Sequence, residues 1–310
     1  MAEHEGQNLP HQSVAEGIAF MCAGMLCMVG LDIVAKWLLQ NYSLSQLVVL
    51  RCSFSVILIF WFATARDGLS SIQSARPGWH LVRSLLMAGS MFAFFHALRR
   101  LPLAEVLTIA FAAPLIVTAL SRPVLGEYVG RWRWVSVLVG FCGVLIVLRP
   151  GSGLIQPAAL IALFGAAMYA VLSLTSRRLS QTESTASLSL YIFGIPWLIG
   201  AAGSFGDWIA PGAIDWLLFA LCGTFGGLAF VFINSAYRRA PAAAIVPFEY
   251  TGLIWAGAGG FLIWGEVPAS TTWLGAAIII ASGLFIIYRE TMILRRTESQ
   301  LGIRVDAAKD

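Results

Sequence analysis

Apolar runs about twenty residues long, repeated along almost the whole chain, restrict its fold more than any other feature. Ten such segments occur, at 14–39, 44–63, 79–98, 103–122, 132–149, 156–176, 184–203, 213–236, 242–264 and 270–289. A helix of roughly 20 apolar residues, rising about 1.5 Å per residue, crosses the ~30 Å hydrocarbon layer of a bilayer. The runs lack the apolar–polar alternation of a barrel strand, so each is read as a transmembrane helix. Composition agrees: 58% of the residues are hydrophobic and only 12% charged, against about 25% charged in an ordinary soluble protein. A soluble core this apolar would leave too little polar surface to meet water. The solvent is therefore the lipid bilayer, and the expected fold is an all-α integral membrane protein.

Charge placement orients the spans. With ten spans both ends of the chain lie on one side. Lys36, Arg99, Arg100 and Arg149 fall on the other side and Arg51 inside a span, whereas Arg66, Arg76, Arg83, Arg122, Arg131, Arg133, Arg177, Arg178, Arg238, Arg239, Arg289, Arg295, Arg296, Arg304 and Lys309 fall on the side of the termini. The positive-inside rule then places both termini in the cytoplasm, and a multi-pass protein of a bacterial inner membrane is expected. Nine of the tryptophans (Trp37, Trp61, Trp79, Trp132, Trp134, Trp208, Trp216, Trp264 and Trp273) fall near span ends, as interfacial anchors do. The basic residues punctuate apolar runs rather than forming one face, which argues against nucleic acid as a partner. The five cysteines, Cys22, Cys27, Cys52, Cys142 and Cys222, have no metal-ligand spacing and sit in apolar runs, so neither a disulfide framework nor a metal site is expected. The polar N-terminal stretch 1–13 lacks the basic n-region of a cleavable signal and is read, like 291–310, as a cytoplasmic tail.

Self-comparison divides the chain. "ALRRLPLAE" from Ala97 matches "AYRRAPAAA" from Ala236, an offset of 139 residues that also pairs Gly126-Glu127 with Gly265-Glu266 and Trp134 with Trp273. Earlier in the halves Gly24, Lys36 and Gln40 align more faintly with Gly165, Arg177 and Gln181. The organisation expected is a first repeat at 14–149, a linker at 150–155 and a second repeat at 156–290. Each repeat has five spans, and an odd number inverts the second half in the membrane. Inverted repeats are characteristic of secondary transporters, with substrate bound near the midplane where the repeats meet.

The "LRRLPLAE…PL…GE" of the first half and "RRAPAAAIVPFEY…GE" of the second, with Asp32 and Lys36 in the first span and Arg51 in the next, resemble the paired EamA domains of the drug/metabolite transporter superfamily over about residues 14–290. The resemblance implies ten transmembrane helices as two inverted five-helix repeats around a central cavity. It further implies movement of small metabolites, amino acids above all, out of the cell. Other members of the superfamily take up solutes such as S-adenosylmethionine.

Ionisable groups inside a span are costly and face a pathway or a partner. Glu249 lies about 10 Å into the ninth span and Arg51 about 10 Å into the second from the opposite side. Glu249 suits a substrate ammonium, a coupling proton or a structural hydrogen bond; Arg51 suits a substrate carboxylate, helix carbonyls or Asp32. Asp32 and Lys36 are four apart on one helix face, as a local pair or as a pathway pair for a zwitterion. His96 and Asn234 end the third and eighth spans. Tyr169, Tyr250, Trp197 and Trp255 are mid-span aromatics whose faces would suit a planar or apolar substrate group. Pro114, Pro196 and Pro247 interrupt spans four, seven and nine, where bends and gating motion concentrate. Gly265-Glu266 reads as a helix end with a wet carboxylate close to arginines.

The expected function is export of amino acids, aromatic or apolar ones included, by alternating access; uptake of a metabolite such as S-adenosylmethionine, or proton-coupled drug efflux, is the alternative. No GxxxxGK[ST] loop occurs for ATP-driven transport. The four histidines show no HExxH or similar spacing, so neither an enzyme nor a cofactor is expected. The tails are too short to hold a partner-binding domain, and no obligate protein partner is expected.

Overall fold

The computed structural model describes residues 11–68, 72–74, 76–125, 130–148, 157–179, 182–240 and 242–307. Its regular elements are helices: α1 (His11–Leu38), α2 (Leu44–Asp67), α3 (Pro77–Leu98), α4 (Leu103–Ala110), α5 (Ala113–Leu125), α6 (Arg131–Leu148), α7 (Pro157–Leu179), α8 (Thr185–Leu190), α9 (Gly194–Ser204), α10 (Ala213–Arg239), α11 (Ala242–Ile245), α12 (Thr251–Trp264) and α13 (Ser270–Ala307). Hydrocarbon offers no water to backbone N–H and C=O groups, so a spanning chain must satisfy them within itself, as a helix does. Among the described residues nine helical stretches are long and apolar enough to cross a bilayer. The tenth expected span, 242–264, is present but broken into α11, a 3₁₀ turn over Val246–Tyr250, and α12. Pro247 accounts for the break, because it has no N–H to donate and its ring collides with the preceding turn. α13 runs on through the segment read as a tail, to Ala307.

Helix starts carry their own signals. The Ser43 hydroxyl accepts the Gln46 N–H to cap α2, and the Ser184 hydroxyl accepts the Ser187 N–H to cap α8. Pro77 stands in the first turn of α3, where a missing N–H costs nothing. Gly265 closes α12 in the left-handed conformation at φ 65°, which glycine adopts without steric penalty.

Packing follows the inverted repeat. α1 lies against α10 and α3 against α7; α2 contacts α10 as α3 contacts α9; α5 meets α7 as α12 meets α1. Replacing each span by its equivalent in the other half turns every one of these pairs into its companion. Three span contacts map onto themselves: α6 with α13, α2 with α9, and the fourth span with the ninth, which meet through α4 and α12. The repeat's small residues sit at these seams. A Cβ on Gly24 would meet Ile233 of α10 at 2.7 Å, and one on Gly165 would meet Ala93 of α3 at 3.0 Å. Between α6 and α13 the backbones themselves approach: a Cβ on Gly143 would lie 2.9 Å from the Gly275 carbonyl, and one on Gly275 would lie 2.6 Å from the Gly143 carbonyl. Small residues that admit such closeness are a main source of helix association in lipid.

Only 28% to 50% of each membrane-length window is buried, leaving broad apolar faces such as Leu138, Leu145, Leu217 and Leu262 for lipid. Trp37, Trp61, Trp79, Trp132, Trp134, Trp208, Trp216 and Trp273 are all exposed, as an aromatic belt requires. Gly275→Val should therefore separate α6 from α13. The expected loss is about 1–3 kcal/mol, read as a lower Tm in detergent, whereas Leu217→Val on the lipid-facing side should leave Tm unchanged.

Candidate functional site

The fourth and ninth spans break at matching depth. α4 ends at Ala110, residues 111–112 form a turn, and α5 resumes at Ala113 with Pro114 in its first turn. In the ninth span the 3₁₀ turn ends at Tyr250, the residue that the 139-residue offset pairs with Phe111. Phe111 and Tyr250 stack edge to face at 5.1 Å. Two equivalent residues in contact must lie on the axis relating the halves, so the breaks meet at the centre of the bundle. Irregular backbone at membrane depth is tolerated only where protein or a water-filled pathway covers it.

Glu249 is carried by this 3₁₀ turn. Its Oε1 accepts the hydroxyl of Tyr237 at 2.7 Å, a residue near the end of α10. Tyr169 of α7 lies in electrostatic range of both Glu249 and Tyr237. Tyr169 is half exposed (51%), and Tyr237 is exposed as well. Glu249 thus has two phenols in its field, and the stacked Phe111–Tyr250 pair stands at the same turn. Such a site offers a negative charge beside aromatic faces, the combination that receives a cation carried next to a planar ring.

Nearer the opposite end, Arg51 of α2 lays its guanidinium over the Phe95 ring at 5.1 Å, and its buried Nε has no hydrogen-bond partner. Asp32 of α1 and Cys222 of α10 lie in its electrostatic range. Lys36 does not form the local pair with Asp32 that their spacing allows. Its ammonium bonds the Glu266 carboxylate and donates to the Leu101 carbonyl at 2.7 Å, with the Trp264 ring at 5.3 Å. The loop that follows Gly265 brings Glu266 to the tip of α1, so its partner is a lysine rather than an arginine. Glu266 Oε2 also accepts the Leu103 N–H at 2.9 Å. The matching glutamate of the first half, Glu127, lies outside the described residues.

Other candidates stand apart from Glu249. His96 bonds Arg100, one turn on, at 2.6 Å. Trp197 of α9 donates its indole N–H to Ser53 at 2.9 Å, which ties it to α2. Trp255 stands exposed on α12, beyond the break. Pro196 lies in the first turn of α9, just after the 3₁₀ turn Tyr191–Phe193 that interrupts the seventh span. The helical backbone of α10 includes Asn234, but its side chain lies outside the described residues. Sequence reading passed over Tyr237, although it falls within the repeated "AYRRAP" landmark. It also missed a buried cluster at the arginine-rich end, where His80 Nε2 approaches Glu183 at 3.4 Å and Arg83 donates to Ser176 at 2.9 Å. Among the described residues no group of three His, Cys, Asp or Glu side chains could hold a metal ion.

Relatives match across this architecture. An S-adenosylmethionine uptake transporter of Rickettsia felis is 27% identical over 285 residues, 92% of this chain and 97% of that protein. A riboflavin transporter of Vibrio cholerae is 29% identical, covering 91% and 96% of the two chains. A pseudopaline exporter of Pseudomonas aeruginosa is 25% identical, covering 77% and 84%. A protein crystal structure superposes with a TM-score of 0.61 over 93% of this chain and 99% of its own, at 20% identity, which establishes the shared fold. The profile of the EamA-like transporter family matches residues 15–149 and 156–288, both five-span halves. The chain belongs to the EamA-like transporter family and is a multi-pass membrane transporter of metabolites, not an enzyme.

Proposed function

We propose that this transporter takes up a small metabolite that joins a cationic centre to a planar ring and a carboxylate, with S-adenosylmethionine the first candidate. The observation that carries the reading is Glu249 held by Tyr237 at the break of the ninth span, with Tyr169, Tyr250 and Phe111 around it. A sulfonium beside an adenine ring fits a carboxylate among aromatic faces. The substrate carboxylate would meet Arg51, whose planar fork binds such a group through two hydrogen bonds. Glu249 and Arg51 each lie about 10 Å from their own membrane face, which leaves roughly 10 Å between them along the normal of a ~30 Å core. A molecule the length of S-adenosylmethionine spans that gap. A free amino acid, whose two charges sit within a few bonds of each other, does not, so the amino-acid export expected from sequence is the weaker reading. The Rickettsia relative, named for uptake of S-adenosylmethionine, supports the same direction.

A second reading, riboflavin, is favoured by the relatives of that name and by the aromatic faces. It needs no negative charge. The pathway runs through a bacterial inner membrane, with both termini and the arginine-rich end in the cytoplasm, as the distribution of Lys and Arg indicates.

Counterflow of radiolabelled S-adenosylmethionine into proteoliposomes tests the proposal. The wild-type protein should exchange the label, and Glu249→Gln should slow exchange at least tenfold, the equivalent of about 1.4 kcal/mol. Riboflavin as the substrate would instead show flavin counterflow that survives Glu249→Gln. Absence of S-adenosylmethionine exchange by a folded protein overturns the first reading. At the other end, Arg51→Lys keeps the charge but loses the fork, so the apparent affinity should fall about tenfold with little change in maximal rate. Unaltered affinity would remove Arg51 from the site.

A further inference from the structure

At the end opposite the arginine-rich face, one lysine and one carboxylate hold three segments together. Lys36 from the tip of α1 reaches Glu266 between α12 and α13, and also the Leu101 carbonyl between α3 and α4. Glu266 closes the triangle by accepting the Leu103 N–H. Two of these segments belong to the first half and one to the second, so the contact is a seal between the halves. Lys36 is buried within it, whereas Glu249 and Tyr237 nearer the arginine-rich end remain accessible.

The seal leaves Asp32 behind. Asp32 is one helical turn from Lys36 and 5% exposed, and the Arg51 guanidinium lies in its electrostatic range. The charged and titratable groups that face it are Arg51 of α2 and Cys222 of α10, with Cys52 of α2 behind them beside Arg51 and Cys222, and Lys36 on its own helix turned away. α12 contributes Trp264, against Lys36, and α3 contributes Phe95, beneath Arg51; neither titrates. A carboxylate buried this far is costly to keep ionised, and binding a proton removes the charge.

We propose that Asp32 is the proton-coupling site of this transporter and that Lys36 is the switch that loads it. With the outer end open, Lys36 pairs with ionised Asp32 four residues away, a favourable spacing on a helix, and Glu266 is hydrated. Closing the outer end transfers Lys36 to Glu266 while one proton from the outer solution binds an Asp32 carboxylate oxygen. One proton is taken up, no covalent bond other than O–H forms, and the charge buried with the seal balances. When inner water reaches Asp32 the proton leaves, with Arg51 nearby to favour the ion, and Lys36 returns as the outer end reopens. The step couples closure to one proton whatever substrate is carried, and with the uptake reading above it makes the protein a proton symporter.

The test needs no substrate, so it stands apart from the S-adenosylmethionine experiment. Leu101→Cys places a thiol inside the seal, and its rate of modification by a maleimide is followed by mass spectrometry at position 101 in the purified full-length protein, at pH 5.5 and 8.5. The same measurement on Leu101→Cys with Asp32→Asn, which cannot ionise, corrects for the reagent's own pH dependence. The ratio of the two rates should rise about tenfold from pH 5.5 to 8.5, as Asp32 ionises and draws Lys36 away from Glu266. A ratio that stays constant overturns the proposal. Leu101→Cys with Glu266→Gln is the second variant, informative even if Asp32→Asn fails to fold. It should label rapidly at both pH values, and a seal that stays closed without the Glu266 charge also overturns the proposal.

Discussion

A backbone in hydrocarbon cannot leave its polar groups unpaired, and this constraint decides where the chain is free to be irregular. Most spans run as continuous helix, and the seventh tightens to a 3₁₀ turn only at Tyr191–Phe193. The fourth and ninth spans break at equivalent depths, at Phe111 and at Val246–Tyr250, and the two breaks meet through the Phe111–Tyr250 stack. At the centre of the bundle protein covers both breaks, so the irregular backbone there is tolerated. Glu249 follows from the same logic: it sits on the unwound turn, which lets its carboxylate find Tyr237 rather than lipid.

The scaffold is nearly symmetric and its chemistry is not. Glu249 has Ala110 as its counterpart. At the ends of the bundle, Tyr42 packs on Phe219 at 5.1 Å on one side, while the equivalent positions on the other side, Glu183 and His80, approach as a carboxylate and an imidazole at 3.4 Å. The same backbone position thus carries an aromatic contact at one membrane face and a titratable one at the other. For the alternating access expected of an inverted repeat, symmetric packing would keep the two states close in energy, and the asymmetric side chains distinguish one face from the other.

Much of this was legible in the residues. Run length, the Lys and Arg bias and the 139-residue offset lead directly to ten spans in two inverted halves, because each reflects a local rule acting on consecutive residues. Pro247 signalled the break in the ninth span, and Glu249 signalled a protected environment. Partners distant in sequence were less visible. Asp32 and Lys36 look like a pair at spacing four, yet Lys36 is drawn to Glu266 by a loop 230 residues away. Tyr237 shows nothing along the sequence of its bond to Glu249, twelve residues on. Spacing along one helix says which groups are able to meet, and tertiary packing chooses among them.

The close approach of Gly143 and Gly275 carries a historical consequence. The contacts that map onto themselves, α6 with α13, α2 with α9 and the fourth span with the ninth, are those in which a span meets its own equivalent running the other way. A five-helix chain inserted into the membrane in both orientations would pair with itself through these same surfaces. Fusing two copies then needs only a short connector, because the interface already exists, and afterwards each half is free to change alone. A carboxylate could therefore arise at position 249 while its counterpart at 110 remained alanine.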